Sequence, residues 1–251
     1  MKRRTIFISL LILFLFVYFA IQSSSLEVTE YIIESDKIDE EIIIVQVSDL
    51  HNDKKYVDIL SEKILAIEPD YIVITGDLIT YYNPRIDIAM QLINNIQEIA
   101  PIYFVQGNHE YFSSCYPELK EQLLEKNVVI LEDEMIETDD LNIIGLLDAS
   151  ETVVEVENEK FTLLLAHRPE LFEKYVEMNV DLVLSGHTHG GQICLPFLGG
   201  FYAPNQGFFP KYLAGKYQSN NTTMIISRGI GNGKIPFRLF NNPELVVIKL
   251  Q

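Results

Sequence analysis

The chain is poor in the groups that would suggest several common functions. It has only two cysteines in 251 residues, Cys115 and Cys194. They form no Cys-x-x-Cys pair, which argues against a disulfide framework and against a thiolate metal site. A single bridge between them and two unpaired buried thiols are the readings left. Basic residues are also few: 19 Lys and Arg face 36 Asp and Glu, for a formal net charge of −17. An acidic surface repels polyanions, so no nucleic-acid partner is expected. Beyond the N-terminus there is no repeat and no low-complexity tract. What is present is a globular composition, 48% hydrophobic and 22% charged. A chain of this size and composition buries a full core and is not disordered.

The N-terminus differs from the rest. Lys2, Arg3 and Arg4 precede an uncharged run, Ile6 to Ile21, and acidic residues begin at Glu27. Residues 1–25 read as a signal-anchor or transmembrane segment, since the run exceeds the 7–15 residues of a usual signal-peptide core. The positive-inside rule then places the rest of the chain, 26–251, outside the cytoplasm at the cell membrane. The alternative is secretion after signal cleavage, with a site after Ser25. No cysteine lies near this segment, which excludes lipoprotein attachment.

A pattern recurs along the remaining chain: an apolar run, a short polar motif, a helical stretch. "EIIIVQV" (41–47) leads to Ser48-Asp49-Leu50-His51, and "YIVI" (71–74) leads to Thr75-Gly76-Asp77. "PIYFV" (101–105) leads to Gly107-Asn108-His109-Glu110, "FTLLL" (161–165) to His167-Arg168, and "VDLVL" (180–184) to Gly186-His187-Thr188-His189. Apolar residues at helical spacing predict helices over 55–67 and 85–99, with shorter ones over 117–126 and 169–178. Strand–helix alternation with buried strands means an α/β fold with parallel sheet. Across 128–161, and again near the end, strands follow one another, so the sheets are mixed and two in number. Residues 28–33 read as an added edge strand.

In open α/β sheets the ligand site lies beyond the carboxyl ends of the strands. Every motif above stands there. One rim therefore receives Asp49, His51, Asp77, Asn108, His109, His167, His187 and His189, which include all five histidines of the chain. In His187-Thr188-His189, residues two apart on an extended segment would point to the same side. Nitrogen and oxygen donors without sulfur suit Mn, Fe, Zn or Co, and this many histidines argues against Mg²⁺ or Ca²⁺. Eight polar residues exceed the needs of one ion. Two ions about 4 Å apart would use them, in the manner of metal-assisted phosphate-ester hydrolysis.

These blocks, "DLH" at 49–51, "GD" at 76–77, "GNHE" at 107–110, His167 and "GHTH" at 186–189, resemble in order and spacing those of the calcineurin-like metallophosphoesterases. The resemblance spans roughly residues 41–251. It implies a four-layer α-β-β-α sandwich, with two mixed sheets packed together and helices outside. It implies two divalent metal ions, manganese favoured over iron and zinc, which activate a hydroxide. Asp49, His51 and His189 would hold the first ion, Asp77 would bridge, and Asn108, His167 and His187 would hold the second. His109 would contact the phosphate and protonate the leaving oxygen. Stretches 190–204 and 228–250 resemble a membrane-associated or exported bacterial branch. Leu78-Ile79-Thr80-Tyr81 follow Gly76-Asp77 where the protein Ser/Thr phosphatases carry Gly-Asp-x-x-Asp-Arg, so a phosphoprotein substrate is not implied.

The reading is thus a hydrolase for a phosphodiester or pyrophosphate bond in a small molecule or lipid, such as a nucleotide-linked lipid or other envelope precursor. The alternatives are a phosphomonoesterase and a non-catalytic metal-binding envelope protein. The latter would be marked by a lost ligand or a replaced His109, and neither is seen. Arg168 is the first choice for a phosphate contact, ahead of Arg228 and Arg238. Tyr202, Phe208, Phe209, Tyr212 and Tyr217 cluster within the Gly/Pro-rich stretch 197–217. They form either an apolar lip for an acyl chain or ordinary packing over a sheet edge.

Overall fold

The computed structural model describes residues 2–22, 25–150, 152–154, 156, 159–195, 199–233 and 237–251. Helix α1 (Lys2–Gln22) is followed by strands β1 (Glu27–Ile33) and β2 (Ile42–Val47). Next come α2 (Val57–Ile67), β3 (Tyr71–Thr75), α3 (Ile86–Ile96), β4 (Ile102–Val105), the short α4 (Asn108–Tyr111), α5 (Tyr116–Glu125) and β5 (Val129–Ile130). The second half contains β6 (Glu134–Glu137), β7 (Leu141–Gly145), β8 (Phe161–Leu165), α6 (Phe172–Glu177) and β9 (Leu182–Ser185). Four two-residue strands follow, β10 (Cys194–Leu195), β11 (Gly199–Gly200), β12 (Tyr202–Ala203) and β13 (Gly207–Phe208). The last three strands are β14 (Gly215–Ser219), β15 (Thr222–Ile226) and β16 (Glu244–Leu250).

Two six-stranded sheets carry the fold, in the orders β1-β16-β2-β3-β4-β5 and β14-β15-β9-β8-β7-β6. In the first, β2, β3, β4 and β5 run parallel and β16 is antiparallel to β2. In the second, β15, β9, β8 and β7 run parallel, with β14 and β6 antiparallel at the edges. Residues 28–33 do form an edge strand, paired in parallel with β16.

The apolar strands are buried on both faces, and side-chain alternation assigns each face to its own layer. Val45 and Val47 of β2 and Ile72 and Ile74 of β3 pack against α2, α3 and α5. Ile44 and Val73, one residue out of step, face the second sheet. There they meet Leu163 and Leu165 of β8 and Leu182 and Leu184 of β9. The opposite face of β8 and β9, Leu164 and Val183, packs with Phe172 and Tyr175 of α6. The result is the expected α-β-β-α sandwich. An unbroken apolar run such as Leu182-Val183-Leu184 is what a strand between two cores requires.

Three expectations fare differently. Of the stretch 152–165 only β8 forms a strand; Thr152, Val153, Val154 and Val156 are irregular. Thr152 instead donates its hydroxyl to Asp133 Oδ2 at 3.0 Å, which holds this loop against the turn before β6. Cys115 and Cys194 are both free thiols, half-buried and unbridged. The N-terminal run folds into α1, with Ile6, Phe7, Leu10 and Phe14 exposed. Among the described residues no helix is long and apolar enough to cross a membrane, so the expected single-pass span is not a finding of the structure. The cleavage position after Ser25 with Ser23 at −3 falls partly outside the described residues.

Leu184 sits fully buried between the sheets. Leu184→Ala should cost about 2–5 kcal/mol in a urea unfolding titration. Leu65→Ala, at a site 61% exposed on α2, should change stability by no more than about 0.5 kcal/mol in either direction.

Candidate metal centre

The loops that leave β2, β3, β4, β8 and β9 meet at one end of the sandwich, and backbone hydrogen bonds tie several of them together. Asp49 N–H donates to Gly76 O and His51 N–H to Asp77 O, both at 3.0 Å. Gly186 N–H donates to His167 O at 3.1 Å, and Ile230 N–H, from the loop after β15, donates to Ser48 O at 3.0 Å. Gly76, at φ +90°, admits no Cβ: one built there would lie 2.7 Å from Gly107 Cα and 2.8 Å from His167 Nδ1.

All eight residues singled out in the sequence converge here. His51 Nε2 and His189 Nε2 are 3.0 Å apart, and Asp49 Oδ1 lies 3.5 Å from the latter. His167 Nε2 is 3.3 Å from Asp77 Oδ2, 3.3 Å from Asn108 Oδ1 and 3.2 Å from His187 Nδ1. Two groups of three donors result, Asp49–His51–His189 and Asp77–His167–His187, each with its ligand atoms within 4.8 Å of one another. A third, His51–Asp77–His109, lies between them. His109 donates its backbone N–H to Asp77 Oδ1 at 2.8 Å, and its Nδ1 accepts from Tyr81 N–H at 3.2 Å. The ring proton of neutral His109 therefore sits on Nε2.

The backbone here departs from strand geometry. Asp49, His51, Asp77, His187 and His189 all have positive φ, between 47° and 72°. Left-handed conformations are unfavourable for such residues and persist where surrounding bonds over-determine them. This corrects the expectation for His187-Thr188-His189. The segment is a turn, not an extended strand, because β9 ends at Ser185. The two imidazoles part, His187 to the Asp77–His167 group and His189 to the Asp49–His51 group.

The electrostatics suit cations. Burial alone would push Asp77 up, but His167 and His51 beside it hold its carboxyl well below the usual range. Burial likewise opposes a charged His167, yet Asp77 and Asp49 lift it to about 10. That position favours positive charge, as a metal site does. Burial lowers His187 and His189 to about 3 and His109 to about 4, so these rings are uncharged at neutral pH. His167 Nδ1 donates to Thr75 O at 2.7 Å, which turns Nε2 toward the cluster. Neutral imidazoles, ionised carboxylates, an amide oxygen and no sulfur make a donor set for divalent metal.

Several supporting residues were not assigned roles in the sequence. Glu110 is fully buried and accepts from Gly107 N–H at 2.9 Å, Asp77 N–H at 2.7 Å and Ile79 N–H at 3.1 Å. It ties the loop after β4 to the loop after β3. Burial and the nearby Asp77 push its carboxyl up to about 7 against the three donors. Asn205 places its amide nitrogen 3.0 Å from His187 Nε2, and Asn241 donates to His189 O at 2.6 Å. Glu110 was visible in its motif; nothing in the sequence signals Asn205 or Asn241.

Each of the three arginines is held by protein partners, and Arg238 also lies 3.4 Å from His189 Nδ1, beside the metal donors. Arg168 grips Asp148 through two bonds of 2.7 Å and lies 3.6 Å from Glu170. It does not line the cavity over the metal centre. Arg228 pairs with Glu27 and Glu244. Arg238 is buried and donates to the carbonyls of Arg228, Gly229 and Gly231. The aromatic cluster divides: Tyr212 is buried against Phe172, whereas Tyr202, Phe208 and Phe209 are exposed.

The sandwich with a rim of nitrogen and oxygen donors defines a metallophosphoesterase-like protein. Residues 42–191 match the calcineurin-like phosphoesterases, and the chain belongs to that family. It is 33% identical to the uncharacterized metallophosphoesterase YkuE of Bacillus subtilis, over 90% of this chain and 86% of that one. It is 32% identical to an uncharacterized metallophosphoesterase of Helicobacter pylori, covering 86% of this chain but spanning only 61% of the relative's length. The structure of TT1561 of Thermus thermophilus shares the fold, with a TM-score of 0.51 at 10% identity over 74% of this chain and 89% of that one.

Removing the Glu110 carboxylate leaves three buried N–H groups without an acceptor. Glu110→Ala should destabilise the fold by roughly 2–4 kcal/mol, read as a lowered thermal midpoint, and should weaken metal retention in a chelator titration.

Proposed function

We propose that the chain is a dinuclear, metal-dependent phosphoesterase that hydrolyses a phosphodiester or pyrophosphate bond. The observation that carries this reading is the position of Asp77. Its Oδ2 lies 3.5 Å from His51 Nε2 and 3.3 Å from His167 Nε2, so one carboxylate oxygen stands close to a histidine of each donor group. Asp49, His51 and His189 would hold one ion, Asn108, His167 and His187 would hold the other, and Asp77 would be shared between them. Manganese is favoured, with iron and zinc suited to the same donors. Bound there, the pair supplies Lewis acidity to the phosphoryl oxygens and to the attacking water.

The chain's own residues position and protonate. Hydrolysis forms a bond from the water oxygen to phosphorus and breaks the bond to the leaving oxygen, which takes a proton. His109 is the group to deliver it. Its Nδ1 is fixed by Tyr81 N–H, which leaves Nε2 for the substrate. Burial lowers the free ring to about 4; a phosphate oxyanion beside Nε2 favours the charged form, in which Nδ1 takes up a proton and gives up the bond from Tyr81 N–H. Glu110 and Thr75 O hold Asp77 and His167 in register.

A nucleotide-linked lipid or other envelope precursor is the proposed substrate class. The proposed location is the outer side of the cytoplasmic membrane, reached by export, with α1 associating with the bilayer. Arg3 and Arg4 at the start of α1, ahead of its exposed apolar side chains, support this placement. In that case the chain sediments with membranes, and protease added to intact spheroplasts degrades the domain.

The direct test strips the full chain of metal, reloads it with Mn²⁺, and compares turnover of bis(p-nitrophenyl) phosphate and p-nitrophenyl phosphate. Diester cleavage with two ions per chain is expected. Asp77→Ala should lose metal and activity together. His109→Ala should keep its metal and lose about 10²–10⁴-fold in turnover. Monoester preference would replace the diesterase reading with the phosphomonoesterase one. Two bound ions without turnover of either would favour a metal-binding envelope protein.

A further inference from the structure

Outside α1, the exposed aromatic side chains of the described residues share one end of the molecule. They lie on the connections that follow β3, β4, β9 and β15, where Tyr82, Phe112, Phe208, Phe209 and Phe240 are between 52% and 70% exposed. The connections after β3, β4 and β9, with those after β2 and β8, carry the metal donors. Exposed apolar residues scattered singly are ordinary, but a contiguous aromatic patch beside a site marks contact with something apolar.

The cavity over the metal centre continues into that patch. It measures about 380 Å³. Its floor includes Asp77, Asn108, His109, His187 and His189, and its wall is Ile193, Phe201, Tyr202 and Pro204, with no Lys or Arg among the described lining residues. Phe201 packs its ring 5.0 Å from Phe208 and 5.1 Å from Phe209, so the wall runs outward to the exposed pair. The same end receives α1. The Tyr18 ring lies 4.9 Å from that of Phe240, and its hydroxyl accepts from Phe240 N–H at 2.9 Å. The neighbouring Leu239 donates its N–H to Gln192 O at 3.0 Å and accepts from Cys194 N–H at 2.9 Å, on either side of the wall residue Ile193. An exposed apolar helix, an aromatic rim and a cavity ending on metal donors are thus contiguous.

We infer that the substrate is a phosphate ester bearing a hydrocarbon chain, and that Ile193, Phe201 and Tyr202 form the subsite for the chain segment next to the reacting phosphate. This rests on the phosphoesterase reading and adds to it a specificity. The phosphate sits on the cavity floor. The chain leaves along the aromatic wall toward Phe208 and Phe209. The aromatic faces of that wall suit methylene groups, whose transfer from water is favourable in proportion to the area buried.

The test uses the full chain in neutral-lipid nanodiscs, loaded with Mn²⁺, and two diesters: methyl and hexyl p-nitrophenyl phosphate, both kept monomeric. The expected kcat/KM is at least about tenfold higher for the hexyl ester. Phe201→Ala and Tyr202→Ala should cut that ratio below about threefold, while Leu65→Ala, far from the rim, leaves it unchanged. Equal kcat/KM for the two esters in the wild type would overturn the inference and leave the phosphoesterase reading standing. A hexyl preference untouched by Phe201→Ala and Tyr202→Ala would also overturn it. Absence of metal-dependent turnover of both esters would remove the phosphoesterase reading and this inference with it.

Discussion

Two buried carboxylates among five imidazoles set the constraint on which this molecule turns. Asp49 and Asp77 are almost wholly withdrawn from water, and an ionised carboxylate is costly there unless donors or cations surround it. Ser48 Oγ donates to Asp49 Oδ2 at 2.5 Å, His187 N–H lies 3.1 Å from the same oxygen, and His109 N–H serves Asp77. Each of these donors comes from a different loop or requires a particular bend in its own. The left-handed backbone of the donor residues is the local cost of aiming them inward, and the sewn loops with their two supporting sheets offset it.

The sheets explain why the cost is tolerated. Strands buried on both faces are stiff platforms. They end abruptly where the polar motifs begin. Glu110 then fixes two of the loops against each other from below the site. Position comes from the sheets, and orientation from buried hydrogen bonds. Rotamers alone would not hold eight polar side chains in register.

Much of this was legible in the sequence because each motif is contiguous. An apolar run names its strand, and the residues just after it must stand at the strand's end. Asp49, His51, Asp77, Asn108, His109, His167, His187 and His189 were all found this way. The failures have one cause, which is that partners distant in the chain leave no local trace. Arg168 was read as a phosphate contact because it follows His167, and its partner Asp148 left no mark near it in the sequence. Arg228 was spoken for by Glu27 and Glu244, far from it in sequence. The turn at His187-Thr188-His189 was misread because strand alternation was carried past the end of β9. Tyr212 and Tyr202 looked alike in a Gly/Pro-rich stretch, but one packs on α6 and the other faces the cavity mouth.

The order of strands in the first sheet has a consequence for how the molecule is made. β16 lies between β1 and β2, so the strand synthesised after every other strand of that sheet occupies a place inside it. Its pairing reaches Leu250 opposite Ile33, and Gln251 N–H closes onto Ile33 O at 3.0 Å. Until those residues leave the ribosome, β1 has no neighbour and β2 presents a bare edge. The first sheet is therefore incomplete until β16 is available. A sheet closed by strands so far apart in sequence forms slowly, because the entropy of closing the loop must be met before the contacts that reward it.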